Sequence, residues 1–279
     1  MIALTFALAA ATSAFVWTDD GSRLTLTEGG RPVLGYNYAM RLDNGAPELK
    51  RRQGYIHPLY SPNGAVVTDD FPRDHWHHRG VFWAWADVRF QGVKRDMWTL
   101  TGGVQSRFEK FLEKDAAKPV LAVQNAWFFG EQRVATETVR FSVEPLKGSE
   151  RKIHFDITLE GVVAEPVEVA GIADQRKGYG GFSMRFAPRE NTIVRTDKGT
   201  EAKDTDMVPH PWAELEATYG GKRAAVRIDD DKSNPGYPNG WCLRNYGFLG
   251  VNYPGLTTIR LEKGKPVHLK YTVSVRSIE

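Results

Sequence analysis

The sequence predicts an all-β protein, a large two-sheet β-sandwich carrying long functional loops. Three observations predict it: hydrophobic alternation with a period of two recurs along the chain, glycine-marked turns separate the alternating runs, and helical periodicity is scarce. The clearest run is 153–159, where Ile153, Phe155, Ile157 and Leu159 alternate with His154, Asp156 and Thr158. Because successive strand side chains point to opposite faces, such a run buries one face and wets the other.

Taken in order, the chain opens with an apolar run from Met1 to Ala14 that ends in small residues. This is the pattern of a secretory leader and its cleavage site, although the basic n-region is missing and an N-terminal strand is the alternative. The run is too short to span a bilayer, and no later stretch is long and apolar enough to do so. We therefore expect a leader over 1–14, a single β-sandwich domain over 15–279, a periplasmic or secreted location and no membrane contact in the mature form.

Alternation continues at 24–27, 135–143, 182–186, 213–219, 223–228 and 267–275. Between these runs fall turn dipeptides such as Asp20-Gly21, Asn63-Gly64, Gly102-Gly103 and Asn239-Gly240. The stretch 108–114 fits either two helical turns or a strand. Two irregular segments, 54–80 and 229–241, are too rich in aromatics for plain linkers and read as functional loops.

Composition narrows the function classes. The net charge is +3, from 37 basic and 34 acidic side chains without a basic block, which argues against a nucleic-acid partner. The 14 Phe, 10 Tyr and 8 Trp fit strands and also fit platforms for sugar rings. Cys242 is the single cysteine, so an intrachain disulfide is excluded, and its apolar neighbours predict an inert buried thiol.

The histidines sort by pattern. His154 and His268 lie on the polar faces of alternating runs and should meet solvent. His210, between Pro209 and Pro211, is extended, and a loop position at a cleft edge is one reading of it. His57, His75, His77 and His78 remain, all within 54–80. The run Asp74-His-Trp-His-His-Arg-Gly80 leads into the strand-like 81–90. Extended backbone back to Asp74 would put His75, His77, Arg79, Trp83 and Trp85 on one face. Indoles there would stack on a polar ring while imidazole and guanidinium groups met its hydroxyls or a carboxylate.

Two chemistries fit that face. His75 and His77, about 7 Å apart on a strand, could share a divalent metal ion with His57 or Asp74 as third ligand, although no His-Glu-x-x-His spacing is present. Without metal, His75 or His77 would move a proton with Asp74 orienting the ring, and Arg79 would stabilise an anion. No paired-carboxylate motif for glycoside cleavage is visible. Asp69-Asp70 and Asp229-Asp230-Asp231 read as solvated turns or a calcium-attracting surface.

With His57-Pro58-Leu59, Ser61-Pro-Asn-Gly64, Thr68-Asp-Asp-Phe-Pro-Arg-Asp-His-Trp-His-His-Arg-Gly80, Gly178-Tyr-Gly-Gly181 and Arg244-Asn-Tyr-Gly247 in view, the sequence resembles a bacterial family of unknown function often labelled PmoA-like or methane oxygenase. A methane monooxygenase subunit of that name is built from transmembrane helices. The resemblance instead implies an exported protein of sugar-degrading bacteria, similar in outline to the mutarotase-like supersandwich. It also implies that His57, Asp74, His75, His77, His78, Arg79, Tyr179 and Arg244 are recurrent polar positions.

The resulting expectation is a carbohydrate-processing enzyme acting by cleavage or epimerisation on a carbohydrate or other small polar ring. His77 or His75 would be its acid or base, Asp74 the orienter, Arg79 and Arg244 the anion anchors, and Trp83 and Trp85 the platform, with Tyr179 offering its hydroxyl. A non-catalytic carbohydrate-binding module and a metal-dependent hydrolase or oxidase are the alternatives. The sequence leaves the oligomeric state open.

Overall fold

A computed structural model describes residues 14–115 and 117–279, so the expected leader lies outside the described residues except for Ala14. Among these residues the chain forms twenty-two strands and two short 3-10 turns, Glu48–Lys50 and Asp174–Arg176. The fold is all-β and sandwich-like, as the alternation predicts.

Two nine-stranded antiparallel sheets dominate. The first runs, in spatial order, Phe15–Asp19, Arg23–Glu28, Arg31–Asn37, Tyr55–Leu59, Val81–Trp85, Gly180–Arg185, Phe248–Asn252, Gly240–Arg244 and Thr205–Pro209. The second runs Gly199–Thr200, Glu190–Thr196, Trp212–Tyr219, Lys222–Asp230, Val267–Ser277, Glu150–Gly161, Gln132–Val143, Val120–Phe129 and Val104–Asp115. A four-stranded sheet of Ile259–Leu261, Val167–Ala170, Asp87–Phe90 and Val93–Arg95 completes the fold.

Aromatic side chains join the large sheets face to face. Trp83 meets Phe155 at 6.4 Å, Phe155 meets Phe182 at 5.1 Å, and Phe182 stacks on Tyr271 at 4.5 Å between ring centroids. The period-two pattern specifies this directly, because Ile153, Phe155, Ile157 and Leu159 are buried while His154 is exposed. His268 is exposed as expected.

Three local readings are resolved or corrected. The segment 104–115 is a strand, and its helix-like spacing comes from bulges between Phe108 and Lys110 and between Phe111 and Glu113. An extra residue in a bulge lets Phe108 and Phe111, three apart, share a face and pack on Tyr38. The expected single strand 81–90 is two strands: the chain leaves the first sheet at Ala86 and enters the small one at Asp87. Asp230 is no solvated turn residue. It is buried and accepts from Asn234 Nδ2 at 2.7 Å and from the Asn239 amide at 2.9 Å, which organises the 231–239 turn.

Candidate functional site

The histidine segment is not extended. The His75 amide donates to the Pro72 carbonyl at 3.0 Å and the His78 amide to the His75 carbonyl at 2.9 Å, so 72–78 forms successive turns before the strand begins at Val81. A turn brings residues three apart together, and the His75 ring stacks on His78 at 4.6 Å with 5° between planes. His77 packs edge-on against both, at 5.7 Å from His75 and 4.5 Å from His78. The expected face of alternate residues therefore does not form, yet the three imidazoles converge.

Arg79 fixes this geometry from inside. Its guanidinium donates to the carbonyls of Trp76, His78 and Lys50 at 2.9, 2.6 and 2.5 Å, lies over Phe71 at 3.4 Å, and is fully buried. Asp70 sits 3.5 Å from its Nε. Arg79 is thus a loop fastener, and its expected role as a substrate anion anchor is not supported by an accessible donor. Gly80 follows because any Cβ there would collide with the Ile56 carbonyl oxygen.

The tryptophan platform needs a like correction. Trp83 and Trp85 point into the inter-sheet core: Trp83 stacks with Phe182, and Trp85 packs on Trp127 while donating to the Tyr253 carbonyl at 2.7 Å. The two widest side chains of the strand fill the gap between sheets. The alternate face, carrying Phe82, looks the other way and supports the histidines, with Phe82 6.2 Å from His78 and 5.3 Å from Trp98.

Around the imidazoles the structure gathers residues from distant parts of the chain. Tyr246, His75, His78 and Phe248 form a continuous stack with centroid separations of 5.1, 4.6 and 4.9 Å. Trp98 borders His77 and His78 at 6.3 and 6.1 Å and stacks on Tyr179 at 5.6 Å. Tyr179 OH accepts from Arg244 Nη2 at 2.7 Å, and Arg244 also engages Asp206 and the Thr205 carbonyl. The motifs at 178–181 and 244–247 therefore meet the histidine segment, because Val81–Trp85, Gly180–Arg185, Phe248–Asn252 and Gly240–Arg244 are consecutive neighbours in one sheet.

His57 stands apart. Its Nδ1 faces Thr68 Oγ1 at 3.0 Å, and among the described residues no ring contact joins it to the other three. His210 is buried with Nδ1 2.7 Å from Asp197, not at a cleft edge. Cys242 is buried, and burial pushes its thiol up to about 12, as suits an inert role.

Asp74 and His75 form the most chemically suggestive pair. Asp74 Oδ2 lies 3.0 Å from His75 Nδ1, and Arg185 Nη2 donates to both Asp74 oxygens at 3.0 and 2.8 Å. Partial burial alone would raise the Asp74 carboxyl, but Arg185 and His75 outweigh it and hold the group below its ordinary range. No partner among the described residues engages His75 Nε2. Trp98, Arg185, Tyr246 and Phe248 were not singled out from sequence. Tyr246 lies inside a quoted motif and Arg185 ends an alternating run, while nothing local marks Trp98.

Burial, and then the charges of Arg52, His75 and Lys50, depress His77 to about 3; burial followed by Arg41 and Arg23 depresses His57 to about 4. Both are neutral in the fold near neutrality, whereas in the unfolded chain they take a proton near 6.5. Their contribution to stability is therefore complete above that value and is lost as pH falls toward 4 and then 3, by about 1.4 kcal/mol per pH unit for each titrating site. Asp70, pushed up to about 6 by burial, acts oppositely and stabilises as pH falls from 6 toward its unfolded value. His78, held well below the usual histidine range by burial, acts in the same sense as His77 and His57, while burial raises Asp69, Glu137 and Asp230 alongside Asp70. The urea midpoint should fall between pH 6.5 and 4.5, and His57→Gln should flatten that fall. An unchanged midpoint across this range would contradict the buried neutral imidazoles.

Among the described residues, no group of three or more His, Cys, Asp and Glu side chains is arranged to hold a metal ion. The strand geometry that would have aimed His75 and His77 at one ion is replaced by the turns. No helix is long and apolar enough to cross a membrane. A family described as a family of unknown function (DUF6807) matches residues 23–278. No curated protein matches the chain.

Proposed function

We propose, from the premise that this chain belongs to the DUF6807 family of unknown function, that it is an exported enzyme processing a carbohydrate or similar polar ring by imidazole acid–base chemistry. The observation carrying this reading is the Arg185–Asp74–His75 series, with Asp74 3.0 Å from one ring nitrogen and the other ring nitrogen left for a ligand. A carboxylate 3.0 Å from Nδ1 stabilises the imidazolium that forms when Nε2 takes a proton. His77, held neutral, serves as a hydrogen-bond partner for hydroxyls. Tyr179, half-buried and held by Arg244, brings its hydroxyl to the far side of Trp98.

The PmoA-like resemblance supports the exported setting and the association with sugar degradation, through His57-Pro58-Leu59 and the segment from Asp74 to Gly80. The direct test is incubation of the purified chain with a panel of glycosides and 3-keto-glycosides, followed by chromatography for released or epimerised sugar. Turnover of at least one class is the expected result. Calorimetric binding without turnover across the panel would replace the enzyme by a carbohydrate-binding module, and neither binding nor turnover would end the carbohydrate reading.

A further inference from the structure

We propose that the imidazole cluster receives an oxyanion, so that the polar ring substrate carries a carboxylate or phosphate, with Arg185 as its anchor and Tyr246 as the cover. The inference deepens the reading above and rests on it for the ring to which the anion is attached.

Cationic side chains approach the imidazoles from separate segments. Arg185, ending the strand Gly180–Arg185, engages Asp74 through Nη2 alone; its Nε and Nη1 are buried without a hydrogen-bond partner, in a residue only 7% exposed. Arg52 donates through Nη2 to the carbonyls of Met97 and Trp98, and its Nη1 is likewise buried and unpartnered. Lys50 donates to the Thr99 carbonyl at 2.6 Å. Among the described residues, Asp74 is the one carboxylate in ion-pair range of the three imidazoles, and Arg185 already shares it.

Buried guanidinium N–H groups without acceptors are unfavourable, and a charged oxygen is the acceptor that satisfies them best. The field at the rings has the matching sign. Beyond the desolvation of burial, Arg52, His75, Lys50 and Arg79 are the leading influences that lower His77. A neutral imidazole can donate one N–H to an anion without needing a compensating charge of its own.

The cover is a single side chain. Tyr246 is 39% exposed, lies 4.9 Å from the Arg185 guanidinium carbon, and forms the outer layer of the stack on His75. It sits on a tight turn closed by the Gly247 amide on the Arg244 carbonyl at 2.8 Å. This one ring lies over the guanidinium and stacks on the imidazole that pairs with Asp74.

The test is isothermal titration of the full chain with glucuronate, glucose 6-phosphate, glucose and inorganic phosphate, at low and high salt. The charged sugars should bind at least about tenfold tighter than glucose, and the preference should shrink with salt. Which of the two binds tighter identifies the source of the oxyanion. Arg185→Gln should erase the preference, Arg185→Lys should keep part of it, and Tyr246→Ala should leave it intact or enlarge it. Equal affinity for glucuronate, glucose 6-phosphate and glucose, or a preference in which Arg185→Gln and Arg185→Lys match the parent, would overturn the anion site while leaving the carbohydrate reading standing. Arg185-dependent binding of inorganic phosphate without any sugar would do the reverse, and binding of none of the four would remove both.

Discussion

Replacing His75 by glutamine is expected to lower kcat/KM on the substrate found in the glycoside panel by about 10²- to 10⁴-fold, the range supplied by a positioned general acid or base. Glutamine keeps polar atoms near Asp74 but cannot exchange a proton near neutral pH. Asp74→Asn should reduce the rate in the same direction, since the amide can no longer stabilise an imidazolium 3.0 Å away. The contrast is His77→Gln. Its ring is held neutral to about pH 3 and, among the described residues, has no carboxylate partner, so its loss should raise KM more than it lowers kcat. Steady-state kinetics of the three variants decide the assignment. A His77 variant as damaged in kcat as the His75 variant would move the acid–base role to His77.

The second large effect is on stability. Arg79→Met is expected to cost about 3–5 kcal/mol, the range for breaking a buried ion pair by removing one partner. Methionine fills similar space, so the loss reports interactions more than a cavity. The carbonyls of Lys50, Trp76 and His78 would lose a donor together, and Asp70 would lose the cation beside it. Urea denaturation should show a lower midpoint with an unchanged slope. A change below about 1 kcal/mol, the scale of a surface ion pair, would mean that the segment is secured without Arg79.

The sheets were legible in the sequence because alternation is a local consequence of pleating. Phe155 and Tyr271, each at the centre of a clean run, are inward-facing neighbours in register. The order of strands was not legible, since nothing near residue 85 announces that 180–185 will lie beside it. The site shows the same division. The clustering of His75, His77 and His78 follows from their closeness in sequence and survives the replacement of strand by turn. The face assignment does not survive it, because it rested on a period of two through residues that form turns. Trp83 and Trp85 were drawn to the site by that period, although wide indoles are what a gap between two sheets requires. Trp98, Arg185 and Phe248 are brought to the histidines by long-range pairing alone.

The segment bearing the imidazoles is tied at two places, by Arg79 to the backbone beneath and by Asp74 to Arg185 at its flank. Its conformational freedom is surrendered during folding and not at the moment of capture, which is the condition called preorganisation. The proposed anion site adds one movement, a rotamer change of Tyr246, which is confined to a side chain and leaves the backbone in place. Recognition on this face is then governed by collision and local charge, with no remodelling of the scaffold to slow it.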